Sequence, residues 1–169
     1  MFDEIILSLK NMNRREKFDP VSSVVSVEAG VILERLSQFL EAEGLETPLD
    51  LGSKGSCMVG GNASTNAGGK YVLKYGSFRS HILGLEAVLP SGEVLDMRSE
   101  ILKDNTGYDL KQLFIGGEGS LGVITRLNIH CPKTDPLRRI MVFKTDKYEH
   151  IVNSIPLIRT ILGKNLNAL

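Results

Sequence analysis

The chain has 169 residues, of which 42% are hydrophobic and 24% are charged, so its composition is that of an ordinary globular domain rather than a disordered segment. Its 20 Lys and Arg residues balance 20 Asp and Glu residues, and the formal net charge of zero gives no support to a nucleic-acid or membrane-surface partner. No apolar run is long enough to span a bilayer.

The first part of the chain predicts strands that are covered by a helix. Residues 4–9 and 23–28 are rich in Val and Ile, which favours two strands. Apolar residues then recur at helical spacing, at Ile32, Leu36, Phe39 and Leu40, and Gly44 follows. We therefore expect a helix over residues 31–43 whose apolar stripe packs against a sheet.

The next feature is the glycine segment, residues 52–69, with the sequence GSKGSCMVGGNASTNAGG. It combines six glycines with Ser, Thr and Asn and contains no acidic residue. Glycine lets a backbone approach a ligand and turn its amides towards it, and short polar side chains can bond to phosphate oxygens. The segment predicts a nucleotide or anion cradle that buries no core of its own.

The middle of the chain predicts a hairpin, a short helix and a strand. Residues 81–89 and 94–98 flank the turn Pro-Ser-Gly-Glu, which is typical of a β-hairpin. Thr106 is followed three residues later by Asp109, a capping-box pattern that opens a predicted helix over 108–114 ending at Gly116. Residues 122–130 alternate and are β-branched, which indicates a strand.

Residues 117–122, GEGSLG, match the GxGxxG fingerprint of dinucleotide-binding folds. That fingerprint requires a preceding strand and a following helix, whereas here the predicted helix precedes and the strand follows. The reversed order excludes a Rossmann fold. A P-loop is excluded as well, because Lys70 is followed by Tyr71 rather than Ser or Thr.

The C-terminal part begins between Pro132 and Pro136, which flank a predicted boundary. Beyond it, residues 140–144 are expected to form a strand and Tyr148–Leu162 a helix with an isoleucine-rich face. Cys57 and Cys131 have no CxxC spacing and are expected to be reduced thiols. The histidines show no metal-ligand spacing, so no metal site is predicted.

Several of these segments together resemble one family. The chain is similar to the FAD-binding domain of the vanillyl-alcohol-oxidase/PCMH type, and within it to the D-2-hydroxyglutarate dehydrogenases and their D-lactate and glycolate dehydrogenase relatives. The residues that carry the resemblance are 48–69 (PLDLGSKGSCMVGGNASTNAGG), 75–76 (YG), 83–95 (LGLEAVLPSGEVL), 103–116 (KDNTGYDLKQLFIG) and 118–125 (EGSLGVIT).

The resemblance implies an α+β fold, a PCMH-type FAD-binding domain with a mixed or antiparallel sheet and flanking helices. It implies a partial FAD-binding domain over residues 1–135 and the start of a truncated substrate or cap domain over 136–169. The family's first phosphate loop and its C-terminal substrate domain are expected to be missing from this chain.

The resemblance also implies which residues contact FAD. Gly52, Gly55, Ser56 and Cys57 are expected near the pyrophosphate and flavin, Gly60, Gly61 and Asn62 along the cofactor, and Ser64, Thr65, Asn66 and Gly68 as further contacts. Glu118, Gly122, Val123 and Ile124 are expected at the adenosine end, the last two through their backbone. Cys57 is interpreted as part of the wall rather than as a nucleophile, and Glu118 has the alternative of satisfying amides in its own tight turn.

The implied activity is oxidation of a D-2-hydroxy acid, foremost D-2-hydroxyglutarate, to the 2-oxo acid by hydride transfer to the flavin of an FAD-dependent dehydrogenase. No catalytic residue is assigned to this chain. The implied partners are a small 2-hydroxy-acid substrate and an electron-transfer flavoprotein, and the implied compartment is mitochondrial in a eukaryote and otherwise cytoplasmic. The alternatives are a non-catalytic remnant of such an enzyme, a D-lactate or glycolate dehydrogenase relative, and an oxidase of the same fold.

Overall fold

A computed structural model describes residues 5–169 of the chain. Its strands are β1 (Arg15–Asp19), β2 (Val24–Glu28), β3 (Ile82–Val88), β4 (Val94–Met97) and β5 (Val123–His130). Its α-helices are α1 (Leu33–Ala42), α2 (Val59–Ser64), α3 (Val72–Tyr75), α4 (Lys111–Phe114) and α5 (Tyr148–Leu162), with 3-10 helices at Phe78–His81 and Gly163–Asn165.

The strands form a single sheet in the order β1-β2-β5-β3-β4, and every neighbouring pair is antiparallel. The last strand in sequence, β5, lies in the middle, where Asn128 pairs with Ser26 of β2 and Leu127 pairs with Leu85 of β3. β3 and β4 form the predicted hairpin, whose turn places Gly92 at φ +85°. This arrangement brings the beginning of β5 beside the end of β2.

The hydrophobic core lies between one face of the sheet and the helices α1 and α2. Alternate residues of the strands point to this face, among them Val25, Val27 and Leu127, each fully buried. Leu36 and Leu40 of α1 pack against them. The predicted helix over 31–43 therefore covers the sheet as expected.

The opposite face of the sheet carries polar side chains that satisfy one another. Ser26 Oγ donates a hydrogen bond to Asn128 Oδ1 over 2.8 Å. Glu28, which is 2% exposed, accepts hydrogen bonds from the Arg14 side chain and from the Arg14 backbone N–H (2.8 Å each). Burial of these groups is tolerated because each has a partner.

Two predicted strands are wrong. The prediction for residues 4–9 begins at residue 4, outside the described residues, and residues 5–9 form no strand; Ile5 and Ile6 are more than 90% exposed. Residues 140–144 form no strand either, and Ile140 is 93% exposed. In both places no other strand of the described residues pairs with the segment, and a strand without a ladder partner is not stable by itself.

Other differences concern single elements. Strand β1 was not predicted from the sequence, because its residues, REKFD, are mostly charged. The predicted capping box is wrong: Thr106 Oγ1 donates to Asp104 Oδ1 (2.5 Å), and Asp109 accepts from Lys111 (2.6 Å), while the helix begins only at Lys111.

The helix Tyr148–Leu162 is confirmed, but Ile151 on its predicted apolar face is 49% exposed. Within residues 5–169, no helix is long and apolar enough to cross a membrane.

Candidate functional site

The glycine segment is not a featureless loop, because its centre forms α2. This helix packs on the chain just after β2: the Gly60 N–H donates to the Ala29 carbonyl over 2.8 Å, and the Val59 N–H donates to the Val31 carbonyl over 2.9 Å. Val59 and Ala63 are fully buried in the core. The expectation that the segment buries no core is therefore wrong, since two apolar residues at helical spacing anchor it to the sheet.

Gly60 and Gly61 have different surroundings although they are neighbours. A Cβ atom added at Gly60 would lie 2.4 Å from the Ala29 Cβ, so only glycine fits there. A Cβ atom added at Gly61 would have no atom within 4 Å. The Gly60 position serves packing, whereas the Gly61 position is exposed to solvent.

The structure brings the two predicted glycine-rich regions together. The Gly116 N–H donates to the Ala63 carbonyl over 3.1 Å, and the Glu118 N–H donates to the Ser64 carbonyl over 2.9 Å. These bonds fasten the turn formed by residues 116–122 to the C-terminal end of α2. Residues more than 50 positions apart in sequence thus form one continuous surface, which we call the glycine surface (residues 52–69 and 116–122).

The predicted site residues differ in how far they reach solvent. Seven are exposed: Gly52, Gly55, Ser56, Gly61, Thr65, Gly68 and Glu118. Cys57, Ser64, Asn66 and Val123 are partly buried, and Gly60, Asn62, Gly122 and Ile124 are buried. Three cavities of the described residues are lined by other parts of the chain.

Several polar side chains of the segment bond to the segment itself. Thr65 Oγ1 donates to the Gly61 carbonyl (3.1 Å), Ser56 Oγ donates to the Ser53 carbonyl (3.3 Å), and Asn62 Nδ2 lies 3.5 Å from the Cys57 sulfur. These hydroxyl and amide groups already use donors within the chain. Exposed backbone amides are among the donors that remain on this surface.

Four exposed glycines of the segment supply such amides: Gly52, whose N–H donates no hydrogen bond within residues 5–169, and the three that follow. Within residues 5–169, the N–H groups of Gly55, Gly61 and Gly68 donate no hydrogen bond to the protein. All three residues are exposed, and at Gly61 and Gly68 the position of a side chain is empty space. Unpaired amides on glycines can approach an anion closely, since no Cβ holds the ligand away.

The charges at the segment come from Lys54 within it and from residues elsewhere in the fold. Lys54 lies 3.3 Å from Asp50, and Lys70 also pairs with Asp50. Burial alone would raise the Asp50 pKa, but hydrogen bonds from the two lysines outweigh it and hold the pKa below its ordinary value. Glu34 of α1 lies beside Gly55, with its Oε2 atom 3.5 Å from where a Cβ of Gly55 would be. The segment contains no acidic residue, but the fold places one next to it.

The beginning of β5 offers backbone groups rather than side chains. β2 ends at Glu28, opposite Arg126, so among the described residues no strand pairs with Val123 and Ile124 on that side. The Ile124 side chain is 1% exposed and belongs to the core. A ligand at this edge would meet the backbone of these two residues.

Two predicted site residues have structural roles in the turn. A Cβ added at Gly122 would lie 2.7 Å from the Val88 carbonyl oxygen and 3.2 Å from the Phe114 ring, so this glycine is needed for packing. Glu118 adopts φ +50°, an unusual backbone conformation for a residue with a side chain. Its carboxylate accepts no hydrogen bond from the described residues, so the alternative that it satisfies amides of its own turn is wrong.

Sequence reasoning missed Arg79, which lies behind the turn. Its guanidinium donates to the Gln112 carbonyl (3.1 Å), to Gln112 Oε1 (2.7 Å) and to the Ile115 carbonyl, and its backbone N–H donates to Asn66 Oδ1 (3.1 Å). No sequence signal pointed to it, because its partners lie 13 to 36 positions away. Within residues 5–169, no group of three or more His, Cys, Asp or Glu side chains is arranged to hold a metal ion.

Comparison with known proteins gives one family and several relatives. The family described as "FAD binding domain" matches residues 1–98. The chain is 48% identical over 168 residues to the mitochondrial D-2-hydroxyglutarate dehydrogenase of Danio rerio, which covers 99% of this chain and 32% of that protein. It is 49% identical over 168 residues to a putative mitochondrial D-lactate dehydrogenase of Schizosaccharomyces pombe, with the same coverage. The chain thus spans about a third of the length of these curated relatives.

A comparison of folds agrees with the sequence matches. A solved structure of alkyldihydroxyacetonephosphate synthase superposes on 90% of this chain and 29% of that one with a TM-score of 0.72, at 22% sequence identity. At this identity the likeness shows the fold alone. The fold class predicted from the sequence is confirmed.

Proposed function

The chain belongs to the FAD-binding domain family, and we propose that its glycine surface holds FAD in an enzyme that oxidises a D-2-hydroxy acid, foremost D-2-hydroxyglutarate, to the 2-oxo acid. The observation that carries this proposal is the meeting of the glycine segment with the 116–122 turn at Ala63 and Ser64. Both regions were predicted to contact one cofactor, and a shared cofactor requires that they form one surface.

The residues present fit an FAD molecule. A diphosphate needs several N–H donors in a place that a side chain does not block, and within residues 5–169 the exposed amides of Gly55, Gly61 and Gly68 have no protein acceptor. The partner lysines of Asp50 leave this carboxylate neutralised, which limits its repulsion of phosphates. The Glu34 carboxylate opposes an anion near Gly55, so we place the diphosphate nearer to Gly61.

Five further predicted residues receive roles in the same proposal. Ser64 and Asn66 lie at the seam between the two regions, where they would contact the cofactor alongside Glu118. The adenine would lie against the backbone of Val123 and Ile124, whose edge is unpaired on the side of β2. We propose that residues 1–135 belong to the FAD-binding domain and that residues 136–169 begin a second domain.

The proposed activity rests on the relatives and on the cofactor. FAD supplies hydride acceptance when it is bound, and the part of this chain is to bind and orient it. We assign no catalytic acid or base to the described residues. An electron-transfer flavoprotein is the proposed electron acceptor, and a mitochondrial location is proposed because both relatives carry that word in their names.

The first experiment measures FAD binding by the purified 169-residue chain through quenching of flavin fluorescence. We expect saturable binding that is lost in Gly61→Val, because the new side chain would occupy the open space over the unpaired amides. Gln38→Val, at an exposed position of α1, is the matched control and should bind like the wild type. Absence of saturable binding by the wild type, or equal binding by Gly61→Val, contradicts the proposed site.

The second experiment tests the activity in a full-length context. The corresponding third of the Danio rerio dehydrogenase is replaced by these 169 residues, and reduction of an artificial electron-accepting dye is followed with D-2-hydroxyglutarate, D-lactate and glycolate. We expect turnover with D-2-hydroxyglutarate that Gly61→Val abolishes. A folded chimera that retains no flavin would show that this segment does not serve a dehydrogenase.

A further inference from the structure

Two backbone hydrogen bonds join the two halves of the glycine surface. The backbone bonds from Gly116 to Ala63 (3.1 Å) and from Glu118 to Ser64 (2.9 Å) connect the turn to α2. The turn itself follows α4, which has only four residues. A helix of one turn is not stable in isolation, so the position of the turn must depend on contacts from outside it.

Arg79 contacts the glycine segment and the residues that lead into the 116–122 turn. Its backbone N–H donates to Asn66 Oδ1 over 3.1 Å, at the end of the glycine segment, and Asn66 adopts φ +46°. Its guanidinium donates to the carbonyl groups of Gln112 (3.1 Å) and Ile115, which belong to the C-terminal end of α4. One residue therefore attaches to the segment through its backbone and to the start of the turn through its side chain.

The chemistry of arginine suits this position. The last carbonyl groups of a helix have no partner within the helix and carry partial negative charge, and a planar guanidinium can donate to several of them at once. Among residues 5–169, no carboxylate pairs with Arg79 in an ion pair. Its half-buried charge is thus compensated by the carbonyl oxygens of Gln112 and Ile115 and by Gln112 Oε1 (2.7 Å).

The space around Gly116 is narrow on the side that faces Arg79 and Asn66. A Cβ added at Gly116 would lie 3.1 Å from Arg79 Nη2 and 3.3 Å from the Asn66 Cβ. Gly116 also adopts φ +82°, which favours glycine. The guanidinium and the glycine segment therefore enclose the first residue of the turn from two sides.

We propose that Arg79 is a positioning residue, which fixes the 116–122 turn against the glycine segment so that both halves of the FAD surface keep one separation. This inference rests on the proposed function for the identity of the ligand. Arg79 acts through α4 and Asn66 and does not itself need to contact FAD. A surface whose two halves moved independently would have to be ordered each time the cofactor bound, which weakens binding.

The test compares Arg79→Met with the wild-type 169-residue chain by amide hydrogen exchange. We expect the Gly116 and Glu118 amides to exchange about tenfold faster in the variant, because hydrogen bonds from a charged donor are lost. The Leu127 amide, in the middle of the sheet, is the internal reference and should not change. Unchanged exchange at Gly116 and Glu118, or an equal increase at Leu127, overturns the proposal.

Two further variants keep the test decisive. Arg79→Lys retains the charge but cannot donate to both carbonyl groups in one plane, so its Gly116 and Glu118 amides should exchange as fast as those of Arg79→Met. Wild-type exchange rates in Arg79→Lys would overturn the geometric argument. If Arg79→Met does not fold, Gln112→Leu removes one acceptor of the same guanidinium, and we expect a smaller increase at the same two amides. No increase in Gln112→Leu would then overturn the proposal.

Measurements of FAD binding distinguish a failure of this inference from a failure of the proposed function. In an FAD titration, Arg79→Met should bind the flavin about tenfold more weakly than the wild type. At saturating FAD it should also alter the visible circular dichroism of the bound flavin, which a general loss of stability would not do. Faster exchange with unchanged affinity and dichroism overturns the positioning role. If the wild type binds no FAD, the proposed function fails, while the exchange rates still decide whether Arg79 fixes the turn.

Discussion

The neighbouring glycines Gly60 and Gly61 give the sharpest prediction, because the same substitution should have opposite effects at the two positions. A Cβ at Gly60 would lie 2.4 Å from the Ala29 Cβ and 2.9 Å from the Ala29 carbonyl oxygen. Carbon atoms in contact prefer a separation of about 3.5–4.0 Å. In Gly60→Ala the helix must therefore move away from the strand end by about 1 Å, which breaks the hydrogen bond from the Gly60 N–H to Ala29.

The expected magnitudes follow from these contacts. Overpacking of this kind costs about 1–3 kcal/mol and the lost hydrogen bond about 0.5–1.5 kcal/mol, while the higher helix propensity of alanine returns about 1 kcal/mol. We expect Gly60→Ala to lower the free energy of unfolding by about 2 kcal/mol, or Tm by roughly 4–8 °C for a domain of this size. Gly61→Ala gains the propensity without a clash, and we expect Tm to rise by roughly 2–4 °C.

The assay is thermal and urea unfolding of the two variants and the wild type, followed by far-ultraviolet circular dichroism. A crystal structure or an amide exchange profile of Gly60→Ala should show the disturbance at α2 and Ala29. Equal Tm values for the two variants would falsify the argument, because it depends on Gly60 being enclosed and Gly61 being open. The sequence alone treats both glycines as ligand contacts and predicts no difference in stability.

Two more predictions concern buried polar groups. Hydrogen bonds from the Arg14 side chain and backbone hold the pKa of Glu28 below its ordinary value. The ionised Glu28 therefore stabilises the fold at a pH above its unfolded pKa of about 4.3, and this stabilisation is lost as the pH falls through the lower pKa of the folded state. Arg14→Met should therefore reduce the free energy of unfolding in urea more at pH 7 than at pH 3, and equal losses would contradict this. Burial raises the pKa of the Cys131 thiol to about 12, whereas Cys57 is partly exposed. We therefore expect a thiol reagent to modify Cys57 in the native chain and Cys131 only after unfolding. Rapid reaction of both thiols in the native chain would contradict the described burial of Cys131.

Local patterns predicted those elements that form from neighbouring residues. The helical spacing of Leu36 and Leu40 and the strand pattern of residues 122–130 were confirmed because each element buries one apolar face against the sheet. The same reasoning failed at residues 140–144, where an apolar β-branched run has no neighbouring strand in the described residues. A strand is stable only when another strand satisfies its backbone, and sequence periodicity does not report whether that partner exists.

Some features of the candidate site were likewise predictable from the local sequence, and others were not. The composition of residues 52–69 was enough to indicate a surface for a phosphate-bearing ligand, since glycine content and the absence of acidic residues are properties of the segment itself. Composition did not show that Val59 and Ala63 enter the core, or that Glu34 lies beside Gly55. Those facts depend on how α1 and α2 pack on the sheet.

By itself, the sequence determined the order of most helices and strands, because these follow from residue types and their local spacing, and its motifs carried the resemblance to the FAD-binding domain family that the comparisons confirm. Only the tertiary structure decided which glycine serves packing and which remains open, since Gly60 and Gly61 differ in what lies across from them and not in their own chemistry. It also decided that Arg79 joins the two halves of the glycine surface. Contacts between residues distant along the chain leave no periodic signal, so they become visible only when the chain is folded.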